Sequence, residues 1–141
     1  MSETTQAEGQ AQLLALVDGK SDEEINAAIK EAGYPALLGP IFAAMEQNFL
    51  PEKNAGRDAV IQYDLGTPDG VEKWQLLVAS GKLTTVARVE KAPNLTITMT
   101  VPDFLRLLAR RLDGMQAFAT GKLKLSGDIM LAQVMLGWFA Q

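Results

Sequence analysis

The 141 residues fit one domain with a single buried core, since a chain of this size hides roughly two thirds of its unfolded surface. Cysteine and histidine are both absent, which excludes disulfides, thiolate nucleophiles, Ser/His/Asp triads, imidazole acid/base chemistry and zinc held by either side chain. A formal net charge of -4 with 48% hydrophobic residues describes a globular chain and argues against a nucleic-acid binder, which would present a net basic face.

Residues 1–10, MSETTQAEGQ, are polar and are expected to form a frayed tail ahead of one domain over 11–141. They lack the basic start and apolar run of a secretory signal. The last residues, Phe139, Ala140 and Gln141, are not a peroxisomal address, so the expected location is the cytoplasm. Gln12 to Asp18 reads as a short helix ended by Gly19. Ser21 and Glu24 form a capping box for the next helix, with Ile25, Ala28, Ile29 and Ala32 as its apolar stripe and Gly33 as its stop. Leu37, Ile41, Met45 and Phe49 then recur every four residues, flanked by Leu38 and Phe42, in a helix entered through Pro40 and closed by Pro51. Pro51 to Arg57 reads as a polar loop.

From there the period changes from helical to alternating. Ala59, Ile61, Tyr63 and Leu65 point one way, and Gly66 to Gly70 reverses the chain. Trp74, Leu76 and Val78 line one face of a second strand, with Leu77 and Ala79 on the other. Ser80 and Gly81 form a tight hairpin turn, and Leu83, Thr85, Ala87 and Val89 continue a third strand up to Ala92-Pro93-Asn94. Leu95, Ile97 and Met99 alternate with Thr96, Thr98 and Thr100, giving a fourth strand with one apolar and one hydroxylated, wet face. Thr100 and Asp103 cap a helix with Phe104, Leu105, Leu108 and Leu112 inward, stopped at Asp113-Gly114. A short turn over Met115 to Thr120 precedes a last half-buried strand with Leu123 and Leu125 against Lys122, Lys124 and Ser126. The order predicts an α+β domain, one sheet with helices mainly on one face.

Asp128 caps the terminal helix, where Ile129, Met130, Leu131, Val134, Met135, Leu136, Trp138 and Phe139 cover nearly the whole circumference. At ~2 kcal/mol for each large side chain buried, they carry on the order of 16 kcal/mol of hydrophobic drive. Four coverings are open: the chain's own core, a partner subunit, a bilayer surface or a ligand. A membrane span is excluded, since the stretch runs for about 13 residues where a bilayer core needs ~20.

The run Phe118, Gly121, Lys122, Leu123, Lys124, Leu125 and Gly127, followed by Leu131 and Ala132, resembles the most recognisable motif of the sterol carrier protein type 2, or sterol-transfer, family. Ile97 to Met99, Asp103-Phe104 and Leu107-Leu108 resemble the family's fourth strand and following helix. The likeness covers roughly 40–141 and leaves the first 35 residues loosely matched. It implies a five-stranded mixed, mostly antiparallel sheet with helices on one face enclosing an apolar tunnel. It also implies non-catalytic binding and transfer of fatty acids, fatty acyl-CoA, sterols or phospholipids, with no cofactor and no metal.

The residues themselves agree with such a site. Met45, Met99, Met115, Met130 and Met135 lie on or beside apolar stripes, and thioether chains tolerate guests of varied shape. The expected lining from the middle of the chain is Phe42, Met45, Ile97, Met99, Phe104 and Leu108. From the C-terminal part it is Met115, Gln116, Phe118, Met130, Val134 and Trp138, with Gln116 as a polar group for a ligand hydroxyl or carboxylate and Gln133 facing solvent. Arg106, Arg110 and Arg111 with Lys122 and Lys124 are expected to form either a basic patch, suited to a CoA phosphate or a transient anionic membrane contact, or a solvated face. Two other readings stay open. One is an interaction or dimerisation module built on the terminal helix. The other is an enzyme using Tyr63 or a buried Asp, though Asp64 must point to the opposite face from Tyr63.

Overall fold

A computed structural model describes residues 11–139; the tail expected over 1–10 lies outside the described residues. Helix α1 is described over 11–17, and α2 (Asp22–Ala32) follows with the expected capping box. The Ser21 Oγ accepts from the Glu24 N–H at 3.2 Å, and the Ser21 N–H donates to the Glu24 carboxylate at 3.1 Å. Of the expected stripe on α2, Ile25 and Ile29 are buried and Ala28 and Ala32 are not. Helix α3 spans Tyr34–Asn48, earlier than its leucine periodicity suggests, because Pro35 takes the first-turn place and Pro40 falls inside the helix. Leu38 and Phe42 form its buried edge, while Leu37, Ile41 and Met45 are half-buried. The loop expected after Pro51 begins instead as the short helix α4 (Pro51–Asn54).

The sheet has five strands: β1 (Ala59–Thr67), β2 (Gly70–Ala79), β3 (Lys82–Val86), β4 (Leu95–Thr100) and β5 (Lys124–Gly127). Their order is β3-β2-β1-β4-β5, with β1 and β4 parallel and every other pair antiparallel. The inward set is the one the alternation predicts: Ala59, Ile61, Tyr63 and Leu65 on β1, Trp74, Leu76 and Val78 on β2, and Leu95, Ile97 and Met99 on β4 are all buried. Ser80 and Gly81 both take positive φ, 54° and 73°, the conformation a two-residue hairpin turn requires. Strand β3 ends at Val86, so Ala87 and Val89 are not in it, and Val89 is exposed. The connection from β3 at one edge to β4 beyond β1 crosses the outer face of the sheet. It is held there by Gln75, fully buried, whose Oε1 accepts from the N–H groups of Glu90 and Lys91 while its Nε2 donates to the Lys91 carbonyl and to Gln62.

Helix α5 (Val101–Leu108) starts at the expected Thr100 cap but stops short of Leu112, where Arg110 adopts a φ of 62°. Helix α6 (Gly114–Ala119) leads into β5, and α7 (Ile129–Met135) gives way to a 3-10 turn over Leu136–Trp138. The terminal segment is thus one short helix and a turn rather than a continuous helix. Its tail bridges back to α3, with Phe139 paired to Phe49 and the Trp138 carbonyl accepting from the Leu50 N–H at 2.6 Å. Among the described residues, no helix is long and apolar enough to cross a membrane.

Candidate functional site

Between the sheet and the helices lies an aromatic cluster. Phe42 of α3 stacks on Trp74 of β2 with ring centroids 4.5 Å apart, and lies 5.7 Å from Phe104 of α5; Tyr63 of β1 meets Phe42 edge-on at 5.6 Å. These rings are held there by the period of two in the strands and by the buried edges of α3 and α5, and they occupy the space where the tunnel is expected. Burial alone pushes the Tyr63 hydroxyl up to about 12. Its neighbour Asp64 points to the outer face, where it accepts from Gln62 at 2.8 Å and pairs with Lys73 at 3.3 Å.

The expected lining residues divide into three sets. Phe42, Ile97, Met99 and Phe104 are buried in this core, and so is Trp138, which meets Phe49 edge-on at 6.5 Å. Met45 and Leu108 are half-buried beside it. Met115, Gln116, Phe118, Met130 and Val134 are exposed. The reason lies in the angular position of each residue on its helix. On α7, Leu131 and Met135 face the core one turn apart, which turns Met130 and Val134 outward together with Ile129. On α6, Ala117 is the buried residue, leaving Met115 83% exposed and Phe118 49% exposed. The result is two segments of the C-terminal part with apolar outer faces, where a surface helix would ordinarily be polar.

Helix α7 is fixed at its two ends. At the first, the Asp128 N–H donates to the Asn94 carbonyl at 2.8 Å, its carboxylate accepts from the Leu131 N–H at 3.2 Å, and Arg57 pairs with it at 3.7 Å. At the second, Trp138 is tied to Leu50. Gly127, just before α7, has a φ of 98°, and a Cβ there would collide with the Asn94 carbonyl.

Two of the expected basic residues serve a different purpose. Arg106 pairs with Asp22 at 2.6 Å and Asp103 at 2.9 Å and donates to the Lys20 carbonyl, and Arg111 pairs with Asp18 at 3.5 Å. They tie the N-terminal helices to α5. Burial would lower the pKa of Arg106, but the two carboxylates outweigh it and raise the value. Asp103 stands three residues before Arg106 on the same helix, but Asp22 and Asp18 are far away in the chain, so no run of local residues announces those two partners.

Two surface concavities occur away from the aromatic cluster. One, of about 240 Å³, is lined by residues including Glu23, Lys30, Tyr34 and Asp69. The other, of about 490 Å³, lies on the outer face of the sheet, with Asp64, Gly66, Lys73, Thr98, Thr100, Lys122 and Lys124 in its lining. The alternation of β4 marks its threonines as a wet face, whereas the part played by Gln62, Asp64, Lys73 and Gln75 depends on cross-strand register. Among the described residues, no group of acidic side chains could hold a metal ion.

A model of the SCP-2 sterol transfer family matches residues 44–139. Sterol carrier protein 2 of Homo sapiens is 38% identical over 66 residues, which are 46% of this chain and 12% of that protein. Hydroxysteroid dehydrogenase-like protein 2 of Mus musculus is 29% identical over 100 residues, 66% of this chain and 20% of that one. This chain therefore spans an eighth to a fifth of the length of these relatives. Among solved structures, the palmitated sterol carrier protein 2-like 2 of Aedes aegypti is 26% identical with a TM-score of 0.54, covering 67% of this chain and 86% of that one.

Proposed function

The chain belongs to the SCP-2 sterol transfer family, and from that premise we propose that it is a non-catalytic module that binds a lipid and hands it on. The observation that carries this reading is the outward apolar surface of α6 and α7, with Met115, Phe118, Ile129, Met130 and Val134 all exposed. Burying a fully exposed side chain of this kind is worth about 1.5–3 kcal/mol, and at exposures of 41–83% a share of that gain remains for a guest to supply. A solved neighbour named for its palmitate supports a fatty acyl chain as the first guest to try. Fatty acyl-CoA, sterols and phospholipids are the further classes. In this reading the guest lies along the outer side of α7, which is held in place by its ties at Asp128 and at Trp138.

Heating the protein with and without palmitate or palmitoyl-CoA tests the proposal. Ligand at ~100 times its dissociation constant stabilises a fold by about 2.7 kcal/mol, which for this size raises the melting temperature by roughly 10 °C. No shift with any lipid class overturns it. The same apolar surface also suits a second copy of the chain, and light scattering separates the two: a ligand-free dimer that ignores lipid favours the interface. An enzymatic reading is disfavoured by Tyr63, buried on the opposite face from Asp64, and by the engagement of Asp103 with Arg106.

A further inference from the structure

The outer face of the sheet carries a hollow that lies apart from the apolar surface of α6 and α7. Lys73 of β2 stands opposite Asp64 of β1, Asp64 beside Thr98 of β4, and Thr98 opposite Lys124 of β5, so one transverse row crosses four strands. The row before it, Gln75 and Gln62, lies under the crossover, and the row after it is Val71, Gly66 and Thr100. Gly66 has no side chain, so the floor drops at that point, and the result is the concavity of about 490 Å³ rimmed by Lys122.

Its lining sets Lys73, Lys122 and Lys124 against Asp64 and Asp103, a net positive groove on a chain whose formal charge is -4. Asp64 is neutralised by Lys73 at 3.3 Å and Asp103 by Arg106 at 2.9 Å. Lys122 and Lys124 are exposed and take no part in the salt bridges found among the described residues. The Thr100 oxygen already accepts from the Asp103 N–H, which leaves its hydroxyl proton to donate, and the exposed Thr98 hydroxyl stands in the adjacent row. Two ammonium groups and two hydroxyl donors around one hollow match the oxygens of a terminal phosphate better than the two of a carboxylate. The concave shape, with Val71 as the exposed large apolar side chain in its lining, is unsuited to a flat bilayer. We propose that this groove binds the phosphate group of a small soluble phosphate ester, for which inorganic pyrophosphate is the simplest mimic.

The test is a titration of 15N-labelled protein with pyrophosphate at low ionic strength, with sodium chloride of matched ionic strength as the reference. Amide shifts are expected at Thr98, Thr100, Gly121, Lys122 and Lys124. They should vanish in the Lys122→Gln/Lys124→Gln double variant. Gly66→Val removes them by shape alone, because its φ is not of the left-handed kind and an added Cβ comes no closer than 3.9 Å to its nearest neighbour, Thr100. Asp64→Asn keeps an acceptor for Gln62 and removes a competing carboxylate, so it should tighten binding about threefold to tenfold. Shifts spread equally to Lys53 and Lys82, or no shift, overturn the proposal. So does a response confined to anionic phosphatidylglycerol vesicles. Palmitate stabilisation should survive Gly66→Val, so loss of one activity does not decide the other.

Discussion

The ring of Phe42 lies flat against that of Trp74, centroids 4.5 Å apart and planes within 7°, so helix α3 and strand β2 meet through one aromatic pair. A guest that enters between α3 and β2 must part these rings. The chain has two tryptophans, so Trp138→Phe leaves Trp74 as the sole reporter. Palmitate should then change the intensity and position of Trp74 emission. An unchanged spectrum alongside a raised melting temperature would place the guest outside the aromatic cluster.

Met130 and Val134 stand on the outer side of α7, exposed by 69% and 41%. Met130→Glu/Val134→Glu should therefore alter the stability of the lipid-free protein by only about 0.5 kcal/mol for each site. The palmitate-induced rise in melting temperature should fall to near zero. Leu131→Ala is the contrasting variant: its side chain is buried, and the loss is expected to be about 2–5 kcal/mol with or without lipid. Thermal melts of the three proteins, each with and without palmitate, check the pair of outcomes.

The buried Tyr63 hydroxyl has its pKa raised from 10.0 to about 12 by desolvation. For a group raised on folding, the stabilising effect is complete below the unfolded value and declines as pH rises toward the folded one. Denaturant titrations should show stability falling between pH 10 and pH 12 by on the order of 2–3 kcal/mol from this residue. Tyr63→Phe should remove that part of the slope and leave stability at neutral pH little changed.

Gln75 is fully buried and satisfies the Glu90 and Lys91 backbone as well as Gln62. Gln75→Ala should cost about 2–4 kcal/mol, because several buried polar groups lose their partner at once. Hydrogen exchange at Glu90 and Lys91 should accelerate before that of β1 does. Gln75→Glu should be nearly as harmful, since a carboxylate cannot donate to the Lys91 carbonyl.

Local chemistry made much of this fold readable in advance. The capping box at Ser21 and Glu24, the Ser80-Gly81 turn and the alternation of Leu95 to Thr100 each depend on residues within a few positions of one another, and each appears as expected. The start of α3 differs from the expected one because Pro35, not Pro40, takes the first-turn place. The expected lining residues were legible as apolar positions, but which of them the core covers was not. Periodicity identifies Met115 and Val134 as apolar without saying which face the core will cover. The roles of Arg106 and Gln75 depend on long-range partners, Asp22 and the Lys91 backbone, that no short window contains.

The crossover clamp at Gln75 also acts as a proofreading device for strand alignment. A slip of β2 by one residue would swing the amide inward among the rings and send Trp74 out into water, leaving the polypeptide that passes overhead with nothing to grip. The errant pairing would thus be penalised on both sides of the sheet at once.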